Sequence, residues 1–288
     1  MIFGYHANGL PDRTPDEVVE LLDEAGYGSV ALPIGGRWFD PRQPGCQEEL
    51  DRFAELLCEK NFSSIIEIEP DEGALILTDT KQRRNYLKLC EYAIDTAATL
   101  RSDCVVLRSG VLTPGPDEEG CDPEAAWEQL INGLAELLEY ADERDVLIGF
   151  EPTYGMLVDT TDAFNRLLGR LDSGRLRLSL DLATLCFMGE QPLAHYLHIW
   201  SGRLVNLYFC DVKKGDTQLF REKSRMSPFL RRLKLGEGEL DFAPLFHALD
   251  DTGYAGGIHV RFDDPPSAGD GLEEMHQAIR FLRQAARL

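Results

Sequence analysis

The sequence predicts a closed barrel of eight parallel β-strands, each followed by a helix, as a single domain over residues 1–288. Two observations predict it. Short apolar runs alternate eight times with longer helical patterns, and the amino-acid composition does not change along the chain in a way that would indicate a second domain. The alternative is an open doubly wound sheet, which usually carries a GxGxxG turn after its first strand. The segment from Gly4 to Gly9 does not match that turn, so the closed barrel is expected.

The predicted strands are mostly continuous apolar runs, as expected for parallel strands that are covered on both faces. They occupy residues 2–6, 29–33, 63–69, 104–108, 147–151, 177–181, 204–210 and 257–262. Helices are predicted over residues 14–25, 47–60, 81–100, 123–142, 161–171, 192–200, 242–252 and 272–286. Local signals support the helix bounds: Thr14 and Pro15 begin the first helix, Gly26 ends it, and Asp122 with Pro123 begins the fourth.

Composition and charge limit the classes of partner. The chain has 29 basic and 50 acidic residues, a formal net charge of −21, and such a charge disfavours nucleic acid. No apolar stretch approaches about 18 residues, so no membrane span is expected, and the amino terminus lacks a signal-peptide pattern. Seven cysteines without a CxxC pair indicate reduced thiols, so a cytoplasmic location is expected.

A basic insertion is predicted after the seventh strand, over residues 212–235. Its acidic residues are only Asp216 and Glu222, in a strongly acidic protein, so the insertion is the most informative charge feature of the chain. The basic residues are Lys213, Lys214, Arg221, Lys223, Arg225, Arg231, Arg232 and Lys234. Lys213 and Lys214 of this insertion, together with Arg108 and Arg261, are alternatively candidates for binding an anionic group such as phosphate or carboxylate.

Polar side chains at the carboxyl ends of the strands are the candidate site residues, because that end carries the site in this architecture. They are His6, Glu67, Glu69, Arg108, Glu151, Asp181, Asp211 and Arg261. Glu151 and Asp181 each close an apolar strand, where a carboxylate is costly unless it is paired or bound to a cation. The alternative for both is a capping role at the start of the next helix.

Two further strand ends leave alternatives open. Glu67 and Glu69 share one face of the third strand, and Glu69 lies nearer the mouth if that face points inward. A salt bridge to Arg108 is the alternative to a role in binding substrate. His6 ends the first strand and is either a substrate contact or a hydrogen-bonded core histidine.

Several segments together resemble the xylose isomerase-like barrel superfamily, the sugar phosphate isomerase/epimerase class. They are residues 4–10, 31–33, 106–110, 149–152, 179–181 and 235–242. The most specific is the GEGELDF stretch that ends at Phe242, which is followed by a helical pattern and a GYAGG turn into the eighth strand. The order and spacing of these pieces carry the resemblance over nearly the whole chain.

That resemblance implies a divalent metal, Mn²⁺ or Mg²⁺, held by a Glu, an Asp, a His and a second Glu from strands five to eight. It also implies that the two glutamates form the acid/base pair. Glu151 and Asp181 match the first two positions, whereas Tyr208 stands where the histidine is expected and Arg261 where the second glutamate is expected. An arginine neither ligates a metal nor acts as a base at ordinary pH.

These departures lead to a specific hypothesis: the guanidinium group of Arg261 replaces the charge of the metal between Glu151 and Asp181. The alternative is a slip of one or two residues in the register of strand eight. His259 or Asp263 would then supply the metal ligand.

The predicted function is an isomerase or epimerase of a sugar or sugar phosphate, with Glu151 as the base next to a carbonyl. Arg261 or Lys213 would stabilise the oxyanion, and the resemblance adds a homo-oligomer. The predicted substrate-binding residues are His6, Glu69, Arg108, Asp211 and Lys213. The alternative is a catalytically inactive barrel that binds a small anionic ligand or a protein partner, since two metal positions are lost. A DNA-repair nuclease is disfavoured by the negative charge and by six histidines that lie mostly on predicted helices.

Overall fold

The computed structural model describes residues 1–35, 38–68, 74–77, 79–111, 122–188, 192–213, 232–261 and 270–287. Eight parallel strands close a barrel in the order β1 to β8. Their bounds are β1 Ile2–His6, β2 Ser29–Ile34, β3 Ser63–Ile68, β4 Val105–Leu107, β5 Ile148–Phe150, β6 Leu176–Asp181, β7 Leu204–Phe209 and β8 Gly257–Val260. The predicted fold class is confirmed.

Helices surround this barrel. In the described ranges they are α1 Pro15–Ala25, α2 Cys46–Lys60, α3 Thr80–Leu100, α4 Pro123–Asp142, α5 Thr161–Arg170, α6 Leu182–Met188, α7 Leu193–Trp200, α8 Ala243–Asp251 and α9 Asp270–Ala285. Helix α6, which follows β6 without a loop, is not among the helices predicted from the sequence. No helix in the described part is long and apolar enough to cross a membrane.

Local signals explain where the helices begin and end. Thr14 forms a capping box with Glu17 at the start of α1, and Gly26 adopts the left-handed conformation at its end. The carboxylate of Asp122 accepts the backbone N–H of Glu124 at the start of α4. These caps satisfy backbone groups that a helix leaves without partners, so the helix ends follow from local sequence.

The strand ends bring the candidate residues together at one edge of the barrel. Leu107 pairs with Phe150 between β4 and β5, so Arg108 and Glu151 follow side by side. Asp181 pairs with Tyr208 between β6 and β7. Because parallel strands end at the same edge, these side chains meet at the carboxyl end of the barrel.

The apolar core lies mainly between the barrel and its helices, and a smaller cluster fills the barrel interior. The interior cluster consists of the buried residues Ala31, Ile65, Cys104, Val106 and Tyr208. The barrel is therefore a packed core and not a pore, as is usual for this architecture. Most of the predicted basic insertion, residues 214–231, lies outside the described residues.

Candidate active site

Three carboxylates converge at the carboxyl end of the barrel. Glu67 lies in β3, Glu151 follows β5 and Asp181 ends β6. Glu67 is 3% exposed, and Glu151 and Asp181 are both 0% exposed. Carboxylates removed from water to this degree need cationic or hydrogen-bonding partners.

Arg108, which follows β4, bridges two of these carboxylates. Its Nε and Nη2 atoms donate to Oε2 of Glu151 at 3.0 and 2.6 Å. Nη2 also donates to Oε2 of Glu67 at 2.8 Å. The sequence leaves open whether Arg108 pairs with a carboxylate of strand three, and in the structure its partner there is Glu67. Glu69 lies outside the described residues.

Arg261, which follows β8, reaches all three carboxylates. Its Nη1 donates to Oε1 and Oε2 of Glu151 at 3.1 and 3.2 Å. Nη1 is also 3.7 Å from Oδ2 of Asp181, and Nη2 is 3.7 Å from Oε2 of Glu67. The guanidinium carbon lies 4.5 Å from the centre of the Tyr208 ring, a cation–π arrangement.

Asp181 has a second arginine partner that comes from the far end of the basic insertion. Nε of Arg232 donates to Oδ2 of Asp181 at 2.8 Å. The other oxygen, Oδ1, accepts the backbone N–H of Ala183 at 2.8 Å, in the first turn of α6. Asp181 is therefore both an ion-pair partner and a helix cap. Glu151 has no such capping role, because α5 begins ten residues later and is capped by Thr160.

His6 and Tyr208 complete the surroundings of Glu67. The Tyr208 hydroxyl donates a short hydrogen bond to Oε1 of Glu67, and Nε2 of His6 lies 3.2 Å from the same oxygen. Nδ1 of His6 accepts the backbone N–H of Asn8, so the hydrogen of a neutral ring is on Nε2 and points to Glu67. His6 thus contacts the predicted site through Glu67.

The six charged residues form what we call the mouth cluster: Glu67, Glu151, Asp181, Arg108, Arg232 and Arg261. Burial opposes ionisation of Glu67, but attraction by Arg261 and the other neighbouring cations outweighs it and holds its pKa well below the usual value. For Asp181, burial is likewise outweighed by Arg232 and Arg261, which lowers its pKa. The cluster is therefore an array of paired charges, three of each sign.

The pKa directions of the donors agree with this arrangement. Burial disfavours the charged form of Arg261, but the carboxylates of Glu151 and Glu67 outweigh it and raise its pKa well above the usual value. Burial, followed by the negative charge of Glu67, raises the pKa of Tyr208. Tyr208 thus remains a hydrogen-bond donor and Arg261 a cation at any ordinary pH.

Asp211 and Lys213, two other predicted substrate contacts, lie in different surroundings. The Asp211 carboxylate accepts the backbone N–H groups of Val212, Gly236 and Leu240 at 2.9, 3.0 and 3.1 Å. A Cβ at Gly238 would lie 2.2 Å from Oδ1 of Asp211, so this close approach requires glycine. Asp211 thus organises the loop that carries the GEGELDF sequence, while Lys213 is exposed.

The donor set does not suit the divalent metal that the resemblance implies. A metal site needs oxygen or imidazole ligands that converge without competing cations, whereas Arg261 lies between Glu151 and Asp181. Tyr208 uses its hydroxyl to donate to Glu67. Within the described ranges, no group of three or more His, Cys, Asp and Glu side chains is arranged to hold a metal ion.

The register of strand eight places Arg261, and not His259, in the mouth cluster. The backbone N–H of Arg261 donates to the carbonyl of Phe209 at 3.1 Å and so continues the β7–β8 ladder. Both ring nitrogens of His259 are hydrogen bonded lower in the barrel, to Ser29 and to Asn206. The other alternative ligand, Asp263, lies outside the described residues.

Two members of this site, Tyr208 and Arg232, are not among the site residues that the sequence predicts. Glu67 is among the strand-end candidates, but the predicted substrate contact on that strand is Glu69. Tyr208 was noted only as a replacement for histidine. Arg232 was one of many basic residues in the insertion, and the charge excess there was the available signal.

Residues 19–285 match the family model described as xylose isomerase-like TIM barrel. Among curated proteins, the chain is similar to the inosose dehydratase of Geobacillus thermodenitrificans, with 31% identity over 182 residues, covering 61% of this chain and 60% of that protein. It is also similar to the inosose dehydratase of Clostridium tetani, with 27% identity over 180 residues, covering 60% and 59%. The matches thus span about three fifths of the length of these relatives.

Solved structures of the same fold include sugar epimerases. A D-tagatose 3-epimerase-like protein superposes with a TM-score of 0.77 at 17% identity, covering 100% of this chain and 99% of the other. The 3-keto-D-glucoside 4-epimerase of E. coli superposes with a TM-score of 0.78 at 16% identity, covering 99% of both chains. At these identities the likeness establishes the fold.

Proposed function

Since this chain belongs to the family of xylose isomerase-like TIM barrels, we propose that it is a sugar isomerase or epimerase that moves a proton next to a carbonyl group. The observation that carries the proposal is the Glu151 carboxylate, which is fully buried at the carboxyl end of β5 between two arginines. A buried carboxylate held in this way is oriented for proton transfer, and the nearby positive charge matches an anion that forms during the reaction.

Glu151 is the proposed base, and its Oε1 atom is the proposed acceptor. Among the hydrogen bonds of the described residues, Oε1 has one donor, Nη1 of Arg261 at 3.1 Å. Oε2 accepts from both Arg108 and Arg261. A carboxylate oxygen has room for more than one donor, so Oε1 retains the capacity to take a proton from carbon.

The arginines are proposed to stabilise the oxyanion. When Glu151 takes the proton, the electron pair of the C–H bond forms a carbon–carbon double bond and the carbonyl oxygen becomes negative. Return of the proton to the former carbonyl carbon, while the hydroxyl proton moves from one oxygen to the other, gives isomerisation. Protonation of the same carbon from the other face by water, with the proton on Glu151 passing to solvent, gives epimerisation. Arg261 and Arg108 remain cationic throughout, and fixed charges near a developing oxyanion lower the barrier.

No step of this mechanism is assigned to a metal. The charge that a divalent ion would supply is proposed to come from Arg261, which pairs with Glu151 at 3.1 Å and approaches Asp181 at 3.7 Å. This is the hypothesis drawn from the sequence, and the contacts of Arg261 support it.

The substrate is proposed to be a sugar or sugar phosphate with a carbonyl group. Inosose dehydratases and sugar epimerases among the similar proteins are named for carbonyl-bearing or hydroxyl-rich substrates. His6 and Arg108 contact the carboxylates of the mouth cluster, while Glu69, Asp211 and Lys213 stay predicted substrate contacts. A homo-oligomer also stays a prediction.

A cytoplasmic location is part of the same proposal. The cysteines of the described ranges are free, and most of them are buried. Reduced thiols are typical of a reducing compartment.

The test measures exchange of the proton next to the carbonyl. The protein is incubated in deuterium oxide with D-tagatose, D-fructose and an inosose, and proton loss is followed by NMR. We expect exchange with at least one ketose and a fall of about 10²- to 10⁴-fold in the Glu151→Gln variant. The matched control is Glu124→Gln, an exposed partner of Arg166, which should exchange like the wild type. A Glu151→Gln variant with undiminished exchange would exclude Glu151 as the base.

A further inference from the structure

Four side chains of the described residues contact the Glu67 carboxylate. Oε1 accepts from the Tyr208 hydroxyl and lies 3.2 Å from Nε2 of His6. Oε2 accepts from Nη2 of Arg108 at 2.8 Å and lies 3.7 Å from Nη2 of Arg261. One carboxylate therefore ties together side chains from β1, β7 and the ends of β4 and β8.

The Glu151 carboxylate depends on two of those same partners. Its hydrogen bonds in the described part of the chain come from Arg108 and Arg261 alone. Nη2 of Arg108 donates to Glu151 at 2.6 Å and to Glu67 at 2.8 Å. A shift of Glu67 would therefore be transmitted to Glu151 through the planar guanidinium group, whose donors have fixed mutual geometry.

The two carboxylates differ in how many further hydrogen bonds or protons their oxygens can accept. Each oxygen of Glu67 faces two donor groups, whereas Oε1 of Glu151 faces one. Tyr208 and His6 are themselves buried, so the contacts of Oε1 in Glu67 are shielded from water. This arrangement suits a group that orients others rather than one that exchanges a proton.

We propose that Glu67 is a positioning residue that holds Arg108 and Arg261 in the orientation that fixes the Glu151 carboxylate. The inference rests on the proposed function, in which Glu151 is the base. Glu67 acts through the arginines and does not exchange a proton with the substrate.

The test uses Glu67→Gln, Arg108→Gln and the double variant in the same deuterium-exchange measurement, with D-tagatose, D-fructose and an inosose as probes. Glu67→Gln should lower kcat by about 10- to 100-fold because misplacement near 1 Å carries that penalty. KM should change much less, and Glu67→Asp, which keeps the charge, should recover part of kcat. Glu124→Gln is again the matched control.

The double variant separates positioning from a direct role. Glu67 contacts Arg108 at 2.8 Å and Arg261 only at 3.7 Å, so most of its effect should pass through Arg108. The double variant should then exchange within about threefold of Arg108→Gln. It also keeps equal numbers of opposite charges in the cluster, so it provides the test if Glu67→Gln does not fold. Losses that multiply in the double variant, or an unchanged kcat in Glu67→Gln, would overturn the inference.

Failure of the proposed function has a different signature. It would appear as a wild-type protein that exchanges none of the three probes. In that case the same variants are compared by thermal unfolding. Coupling between Glu67 and Arg108 in that cycle supports the structural link on which the inference depends, whereas strictly additive losses overturn it.

Discussion

The inside of the barrel has two polar layers, and they differ in charge. The upper layer is the mouth cluster at the carboxyl ends of the strands. The lower layer consists of Ser29, Ser179, Asn206 and His259, and on β6 and β8 it lies two residues before the upper layer. Asp181 lies above Ser179 and Arg261 above His259, because side chains two residues apart share a face of a strand.

The lower layer is a neutral hydrogen-bond chain. Nδ2 of Asn206 donates to Oγ of Ser179 at 3.0 Å, which leaves Oδ1 of Asn206 to accept from Nδ1 of His259 at 2.7 Å. Nε2 of His259 then accepts from Oγ of Ser29 at 2.9 Å. Gly4 makes room for the ring, since a Cβ there would lie 2.2 Å from Cδ2 of His259.

The difference shows what each layer can do. A neutral group is buried at little cost once its hydrogen bonds are satisfied, so the lower layer needs no more than internal partners. Buried charges are costly unless opposite charges neutralise them, and the upper layer maintains such charges beside the barrel mouth. Concentrated, oriented charge is what proton transfer and oxyanion stabilisation require, so we assign the chemistry to the upper layer.

Arg261→Gln should have the largest effect on both stability and activity. Glu151 would keep only Arg108 among its described partners, and breaking a buried ion pair costs about 3–5 kcal/mol. Loss of a donor to the oxyanion should lower kcat by about 10²- to 10³-fold. Chemical denaturation and deuterium exchange measure the two effects.

Arg166→Gln is the surface control for that experiment, since its exposed pair with Glu124 should contribute less than about 1 kcal/mol. Equal losses of stability in the two variants would contradict the contrast between buried and exposed charge.

Tyr208→Phe should have the next largest effect. It removes the hydroxyl that donates to the Glu67 carboxylate, and a hydrogen bond to a charged group contributes about 1.5–3 kcal/mol. The matched control is Tyr254→Phe, whose hydroxyl donates to the neutral carbonyls of Val205 and Gly257 and should contribute about 0.5–1.5 kcal/mol. Denaturant unfolding measures the loss of stability in both variants. A larger loss in Tyr254→Phe than in Tyr208→Phe would contradict the prediction.

His259 should make the stability of the protein fall in mildly acidic solution. Burial lowers the pKa of His259 to about 3, so the unfolded chain binds a proton there below about pH 6.5 and the folded protein does not. The free energy of unfolding should therefore fall by about 1–2 kcal/mol between pH 6.5 and pH 5.

The pKa values of Glu67 and Asp181 are lowered on folding. The stability that they contribute is present above their ordinary pKa values and is lost only at lower pH, outside this window. A His259→Gln variant should unfold with a flatter pH dependence between pH 6.5 and pH 5. The same slope in that variant would assign the effect to another group.

Chelation should have the smallest effect. Because guanidinium groups supply the positive charge at Glu151 and Asp181, exhaustive treatment with EDTA should leave the rate of deuterium exchange and the midpoint of thermal unfolding unchanged. The measurement compares treated and untreated protein, with and without added Mn²⁺. A loss of exchange that Mn²⁺ restores would show that the mouth cluster rearranges to bind a metal.

Some features of the site were predictable because they repeat simple patterns. Glu151 and Asp181 each end an apolar strand, and the eighth-strand pattern placed Arg261 at the same level. The partners were harder to predict: Arg232 lies 51 residues from Asp181 along the chain. The alternation of a strand predicts that Glu67 and Glu69 share a face, and this pattern does not tell which of the two glutamates meets the arginine.

The sequence by itself determined the eight strand–helix units and the caps of α1 and α4, because these depend on local periodicity and on residues close together in the chain. The order and spacing of short motifs along the chain indicated the family to which it belongs. The tertiary structure alone decided which charge meets which, including the pairing of Glu67 with Arg108 and of Asp181 with Arg232. Such pairs form because barrel closure removes distant side chains from water together, and each buried charge is then stabilised by whichever opposite charge the strand register brings within reach.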